Sequence, residues 1–548
     1  MTKQILIPLF ISMLFLNNSP AQIPGWEWVK KFGTFGNDNE GSVAIDREDN
    51  VIIGGKIGNH VFISKYDPSG NLIWTRESSG ASVSQVSAIK TDAENNIIVA
   101  GAYYNSTILF DTVSLPNKGS WDMFLLKYDI NGNLLWAQRA GMEGHDNCWS
   151  IAIDSKQDIV LTGGFQSAAI VYDNDTLSNA GSGNYAFDAF IVKYDLNGNE
   201  IWATSFGSDE EEQIQSVDVD KDDNIYLTGE FWSDSIQIST TTLINGGSAS
   251  DVFLAKYNSS GIPVWVNSAG GKYGDHVQGI TIDRSNDIVI TGYFGSDIIH
   301  FNGDSLINAV DWGGYDIFLA KYGSSGNEVW VKKAGSTSVD GAYCVVAEGN
   351  DLIVVGIFSK DQTAFGSYIL SNHGDFDLFV AKFDSSGTVL WAKGAGGAEH
   401  DESYWNSIAA DSKGNIYVCG HFFSPVMYFD SIALANTNPD TIAVSEDIFF
   451  GKLSSILTAN VNAEVYNAVN PSVHIFPNPF HTTAVLQIDA GFMRGKFEIY
   501  NASGLLVRRD VINNSLTEFQ REGLGEGIYF YRILLDNGQA VNGKFVIQ

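Results

Sequence analysis

Cysteine, proline and positive charge are all scarce in this chain. Three cysteines in 548 residues exclude a disulfide scaffold. Charged residues make up only 18 %, which excludes a coiled coil. There are 32 Lys and Arg against 64 Asp and Glu, a formal net charge of −32. Such a surface repels phosphate backbones and anionic membranes, so nucleic acid is a poor partner. After the first twenty residues no apolar run approaches spanning length, so no transmembrane segment is expected in the mature chain. What remains is 44 % hydrophobic, too apolar for disorder. Eleven prolines, 56 glycines and 12 % aromatics suggest many short strands and tight turns.

The two ends differ from the middle. Lys3 precedes an apolar run from Ile5 to Leu16, then Asn17, Asn18 and Ser19-Pro20-Ala21. That is the pattern of a secretory signal peptide, residues 1–21, cleaved after Ala21 to leave Gln22 first. As a helix the run reaches ~18 Å, short of a ~30 Å hydrocarbon core. Residues 473–548 hold seven basic and seven acidic residues, whereas 22–472 hold 24 and 57. The acidity therefore belongs to the central region, and the shift predicts a boundary near residue 470. Residues 454–472, rich in small residues and Asn, read as a linker.

The central region is one motif repeated. Trp recurs at positions 28, 74, 136, 202, 265, 330 and 391. Lys recurs at 65, 127, 193, 256, 321, 382 and 452, with Phe three residues earlier each time. A Gly lies upstream in all seven units, and another falls five residues after the first six Lys, as in Gly132 and Gly198. Each unit carries four strand signals, a to d. In the third these are Ser150 to Ile153, Ile159 to Phe165, Asp188 to Tyr194 and Glu200 to Ser205. The a–b and c–d links are tight, and the c–d Gly suits a positive φ. Four antiparallel strands repeated radially predict a β-propeller. The first Trp strand, 26–32, lacks a preceding strand c, and the last strand c, 447–453, lacks a following Trp strand. Pairing them closes a ring of seven blades. The fold class expected is all-β: a seven-bladed propeller over 22–453, then a small C-terminal β-sandwich over 473–548.

Asp316-Ile-Phe-Leu-Ala-Lys-Tyr322, Gly326-Asn327 and Trp330 resemble the unit of the bacterial SBBP propeller repeats. The resemblance spans about residues 25–453 and implies a fold without a single activity.

Within the unit, the Phe, Trp and Gly positions read as packing residues, and Cys148, Cys344 and Cys419 as small buried hydrophobes. The Lys reads as structural, and the Asp five residues before it, as Asp316 before Lys321, is one partner to consider. These two fall on opposite faces of a strand, so pairing requires a bend or a neighbouring blade. If strand a runs downward, the b–c and d–a loops lie on one face, the upper, which also carries the variable insertions. Binding usually resides on such loops. Ten residues after each Trp stand Asp38, Ser84, Asp146, Glu212, Asp275, Asp340 and Asp401, with His145, His276 and His400 nearby. A ring of carboxylates at the upper mouth suits Ca²⁺ or a cationic ligand. Alternatively these acids cap loops by accepting backbone hydrogen bonds. No nucleophile elbow, zincin, P-loop or Cys-x-x-Cys motif is present. Catalytic residues are therefore not assigned.

The last segment alternates apolar and polar residues between turn signals, which predicts a small β-sandwich. Phe476-Pro477-Asn478-Pro479, Ile499-Tyr500-Asn501 with Gly504, Leu524 with Gly527-Ile528-Tyr529, and Gly543-Lys544-Phe545-Val546 resemble the type A C-terminal sorting domain of the type IX secretion system. The resemblance implies the type IX machinery as partner, passage through the periplasm, and release or display at the outer surface of a Gram-negative bacterium. The chain then reads as a secreted or surface propeller that binds an extracellular glycan, protein or matrix. A propeller enzyme acting on polysaccharide and a purely structural surface component are the alternatives.

Overall fold

The computed structural model describes residues 23–33, 38–80, 83–172, 174–181, 186–309, 314–359, 362–403, 406–437, 446–454, 473–488, 495–501, 506–512, 516–535 and 540–548. The chain divides into two compact units, 1–457 and 458–548. The signal peptide, its Ala21–Gln22 cleavage point, linker residues 455–472 and Gly504 lie outside the described residues. Every helix or strand element described is a strand.

Blade 3 shows the plan. Its strands are Asp146–Ile153, Ile159–Phe165, Asp188–Tyr194 and Glu200–Phe206, hydrogen-bonded in sequence order and antiparallel throughout. The described residues form seven such sheets. In the seventh, strand a is broken into Asp401–Glu402 and Ile408–Ala410, strand b is Ile416–Phe422 and strand c is Asp447–Ser454. Its outer strand is the N-terminal Gly25–Phe32, with Trp28 opposite Lys452 and Lys31 opposite Phe449. The innermost strands touch in succession all the way round, the seventh against the first. The propeller is therefore a closed ring.

The hydrophobic core lies in the seams between blades. Strands b and c are buried on both faces, so they read as nearly continuous apolar runs. One cluster joins Ile98, Ala100 and Leu125 of blade 2 to Ile151, Leu161 and Phe190 of blade 3. The closing seam is built alike: Val43, Ile53, Phe62 and Tyr66 of blade 1 meet Tyr417, Cys419, Ile448 and Phe450 of blade 7. All three cysteines are buried and unbridged.

Below, polar staples cross the same seams. Lys127 Nζ and Trp136 Nε1 both donate to Leu196 O of the next blade, at 3.2 and 3.3 Å. Lys452 Nζ reaches Pro68 O at 3.4 Å, and Ser412 donates to Asp49 through N and Oγ at 3.0 Å, both across the closing seam. The repeated Lys does not bond the Asp five residues before it. In four blades its partner is the acid of the a–b turn: Lys65–Asp46 at 2.8 Å, Lys127–Asp92 at 2.9 Å, Lys193–Asp154 at 2.6 Å and Lys321–Asp283 at 2.7 Å, whereas Lys382 takes Glu348 at 2.6 Å, Lys452 takes Glu27 at 3.0 Å and Lys256 lies over the Tyr226 ring. Strand c runs down to that turn, so its Lys ends beside the turn carboxylate, while the Asp five residues earlier stays at the top. The c–d turn glycine holds a left-handed φ, 77° at Gly132 and 84° at Gly198. A Cβ on Gly198 would lie 3.1 Å from the Trp136 ring of the preceding blade.

The b–c insertions are two-stranded hairpins, such as Ile108–Phe110 with Val113–Leu115 and Gln362–Phe365 with Tyr368–Ser371. They bury Phe110, Ile170, Ile236, Ile299, Phe365 and Phe429. Four also bridge to the end of the preceding blade's outer strand, as Ser79 to Leu109 and Gly335 to Ala364. Seams widen outward, and these hairpins fill the wedge. They are packing elements, whereas the sequence suggests open binding loops.

The C-terminal unit has two antiparallel sheets. One holds Val473–Phe476, Thr483–Ile488 and Leu516–Gln520. The other holds Leu506–Ile512, Gly495–Tyr500, Gly527–Leu535 and Ala540–Ile547. Phe480, Leu486, Phe497, Phe519, Ile533 and Phe545 form the core. Pro477, Asn478 and Pro479 are exposed. Asn478 Oδ1 accepts Val546 N–H at 2.8 Å, tying them to the last strand. Gly527 opens the third strand of the second sheet at φ 148°. Tyr529 is buried and donates to Gly525 O at 3.1 Å. Lys544 is exposed opposite Phe530.

Candidate functional site

Asp38, Asp146, Glu212, Asp275, Asp340 and Asp401 are each 0 % exposed. Five of them are the first residue of strand a, and Asp38 directly precedes it. Strand a begins above where alternation shows it. A β-bulge interrupts it in blades 1 to 6, for example between Cys148 and Ser150, and hides its upper half.

Each acid braces loops of its own blade. Asp146 accepts Met142 N–H at 2.9 Å and Ser167 N–H at 3.0 Å. Asp275 takes N–H and O–H from Ser296 at 3.2 and 2.9 Å, and Asp401 takes both from Ser424 at 3.1 and 2.7 Å. Glu212 accepts Ser208 N–H at 2.7 Å. Asp340 accepts Ser336 N–H and Thr363 O–H. Asp38 accepts Gly58 N–H at 2.7 Å. Burial pushes Glu212, Asp275 and Asp401 up to about 7. This is the geometry of loop caps. Among the described residues no three His, Cys, Asp or Glu are arranged to hold a metal ion.

What the upper side offers to solvent stands beside these acids. His276 lies 4.9 Å from Tyr293 and 6.0 Å from Tyr315, ring to ring. Tyr293 meets Tyr315 edge-on at 5.2 Å and Tyr343 of blade 6 at 5.9 Å. All four rings are partly exposed. Behind them Glu230 is buried, 2.9 Å from His276 Nδ1. Burial disfavours the charge on His276, but Glu230 and Asp275 outweigh it and hold the imidazole above its ordinary value. A second group sits between blades 6 and 7. His400 packs on Phe376 at 4.7 Å and Phe423 at 6.0 Å. Glu402 lies between His400 Nε2 at 2.9 Å and His421 Nε2 at 3.1 Å. The Glu402 carboxylate beside His400 Nε2 raises His400 against burial. A third group stacks Trp121 on His145 at 5.7 Å. Burial lowers His145.

The sequence singles out these three histidines by register. It misses Glu230, His421, Tyr293 and Tyr343, which sit on other strands, and also Glu402, only two residues after His400. A polar residue next to the strand-b Gly, as Glu230 and His421 are, is the signal that would have found two of them.

The ring's axis is stoppered. Asn406, in the break of the seventh inner strand, donates from Nδ2 to Ser87 O at 3.1 Å and Trp149 O at 3.3 Å, and its carbonyl accepts Val43 N–H at 3.0 Å. Against it lies a polar cavity of about 60 Å³ lined by Lys90, Asp218, Gln278 and Thr281.

Comparison with known proteins assigns the last segment first. Residues 474–548 match the model of the secretion system C-terminal sorting domain. The chain ends in a type IX sorting domain. It is thereby addressed to secretion or to the outer-membrane surface. No described helix is long and apolar enough to cross a membrane. An uncharacterized WD repeat-containing protein of Acanthamoeba polyphaga mimivirus is 24 % identical over 450 residues, covering 65 % of this chain and 32 % of that protein. The regulatory protein FlaEY of Caulobacter vibrioides is 23 % identical over 304 residues, 52 % of this chain and 31 % of its own. The chain thus spans about a third of the length of these curated relatives. Among solved structures, a copper-bound fungal alcohol oxidase of the AA5 family covers 86 % of this chain and 98 % of its own at 12 % identity and TM-score 0.34. PorZ, a surface component of the type IX secretion system of Porphyromonas gingivalis, covers 93 % and 81 % at 11 % identity and TM-score 0.22. Likeness this low bears on neither activity nor ligand. The sorting domain alone fixes the address.

Proposed function

We propose that the propeller is a binding module, delivered outside the cell by its sorting domain after loss of residues 1–21, that takes an extracellular glycan on its upper face. The carrying observation is the partly exposed group of His276, Tyr293, Tyr315 and Tyr343 backed by the buried Glu230. Flat rings offer apolar area to the C–H faces of a sugar, and imidazole and phenol groups at their edges take hydroxyl hydrogen bonds. The SBBP likeness supports a propeller scaffold and adds no activity.

The test is a glycan and matrix-protein binding screen on the full secreted chain, repeated with Tyr293→Ala and Tyr343→Ala. Glycan binding lost at least tenfold in both variants, with unchanged melting, supports the reading. Binding to matrix protein alone, or glycan binding indifferent to both changes, overturns it. Glu402 between two histidines favours a second reading, hydrolysis of polysaccharide. That reading predicts product release that stops with Glu402→Gln, and a structural component shows neither binding nor turnover.

A further inference from the structure

The upper seams repeat one arrangement six times. The first Asp of strand c stands near the first acid of the next blade: Asp122 with Asp146, Asp188 with Glu212, Asp251 with Asp275, Asp316 with Asp340, Asp377 with Asp401, and Asp447 with Asp38. Backbone hydrogen bonds fix the pairs, as Glu212 N–H to Phe187 O at 2.7 Å and Asp275 N–H to Ser250 O at 2.9 Å. A Cβ on Gly335 would lie 2.6 Å from Asp316 Oδ1 and 3.2 Å from Asp340 Oδ2, so both carboxylates flank one glycine.

Strand d supplies a cation to three of these seams: Arg139 to Asp122 at 2.9 Å, Lys333 to Asp316 at 2.8 Å and Lys31 to Asp447 at 3.3 Å. His373 serves Asp377 at 3.1 Å. In blades 3 and 4 the position of Arg139 and Lys333 is held by Ser205 and Ser268. Among the described residues no Lys or Arg pairs with Asp188, Glu212, Asp251 or Asp275. These four are buried, and Asp188 Oδ1, Glu212 Oε1 and Asp251 Oδ1 have no hydrogen-bond partner.

Neighbouring bare carboxylates with no cation between them repel, the more so out of water, and buried lone pairs without donors add to that. We propose that the Asp188–Glu212 and Asp251–Asp275 seams each bind one proton in place of the missing cation, leaving one carboxyl of each pair neutral. The propeller is then held shut most firmly in mildly acidic surroundings. The neighbours offset the cost of buried charge only in part, through Ser233 beside Glu212 and through Ser296 and His276 beside Asp275, and burial outweighs them. Around Asp188 and Glu212 stand Ala180 N–H, Gly207, Ser208, Asp209, Glu210, Glu211 and Ser233. Around Asp251 and Asp275 stand Gly246 N–H, Gly270, Ser296 and His276, whose imidazole is engaged by Glu230. Lys272 of that loop lies exposed over the Tyr273 ring. Burial pushes Asp188 and Asp251 up to about 6, and Glu212 and Asp275 to about 7.

The sign follows from linkage. A carboxyl raised in the folded state binds its proton more tightly there, so its stabilisation is complete below the unfolded value and is lost as pH rises through the folded one. Each excess proton makes the unfolding constant rise about tenfold per pH unit, so two seams give about a hundredfold per unit between about pH 5 and 7. Denaturant unfolding of the full chain across that range, for wild type and for Glu212→Gln with Asp275→Asn, reads this directly. Loss of about two protons' worth of slope in the double variant supports the proposal, and an unchanged slope overturns it. Should the variant not fold, infrared spectra of the wild type decide. A protonated-carboxyl band present at pH 6 and gone by about pH 8 supports it, and no such band overturns it. A slope or band abolished by millimolar Ca²⁺ or Na⁺ would mean a bound cation instead, and would also overturn it.

Discussion

In blades 3 and 4 the lower and upper ends of the sheet treat buried charge in opposite ways. Below, a turn carboxylate such as Asp154 meets Lys193 at 2.6 Å, and both are buried. Above, a carboxylate such as Asp188 meets another acid, Glu212, with no Lys or Arg paired to either among the described residues. Lys193, Asp154 and Asp188 all belong to blade 3, and Glu212 opens blade 4, so the comparison holds scaffold and burial nearly constant. A buried ion pair is strongly destabilising when one partner is removed, because the other charge remains unpaired. Lys193→Ala is therefore expected to lower stability by about 3–5 kcal/mol. Urea unfolding at neutral pH checks it. Asp188→Asn, in the same blade, removes one of two like charges and is expected to be neutral or stabilising. Equal losses from both would break the contrast between the halves.

A smaller effect separates the staples from the charges they carry. Gly198 turns the chain at φ 84° beneath the Trp136 ring. Gly198→Ala is expected to lose about 1–2 kcal/mol through the left-handed backbone alone. The same change at Gly164, where strand b runs without a positive φ, meets only the Phe187 and Gln213 side chains, at 3.1 and 3.3 Å. It should lose less by the same urea measurement.

The lower half was the legible one. Lys, Trp and turn Gly repeat at fixed spacing because they do closely similar work from blade to blade, as the five Trp rings that donate to the next blade's c–d turn show, and short-range pattern reports short-range geometry. The closure was legible too, since a spare strand at either end has one place to go. The Lys partner was not. A strand's period of two says which face a side chain occupies, and the turn acid that meets it belongs to a strand two places earlier in the chain. The ring acids were found by register, which left open whether they cap loops or bind a ligand; their backbone hydrogen bonds are those of caps. Burial of Asp146 or Asp275 depends on the inserted hairpin and loop that close over it, and those vary from unit to unit. The bulge in strand a broke the alternation where the site begins. His276 and Tyr293 are opposed on neighbouring strands of blade 5, but Glu230 reaches them from blade 4 across the seam, a contact for which the sequence holds no spacing.

The least effect is expected on the outermost strand. The residue before the Trp is apolar in blade after blade, as Ile73, Leu135, Ile201, Val264 and Val329, yet these are 46 to 56 % exposed. Periodic apolarity here marks not a core but a preference for branched and bulky side chains on a pleated edge strand. Two residues on, Val331 is 9 % exposed and joins the cluster of Val277, Ile290 and Phe318. Val329→Ser is accordingly expected to change stability by no more than about 0.5 kcal/mol, and Val331→Ser by well over 1 kcal/mol, since it also buries a hydroxyl. Paired urea titrations resolve the two. A loss at Val329 as large as that at Val331 would show the outer rim to be covered by a partner or a second copy, and would extend the packed region beyond the seams.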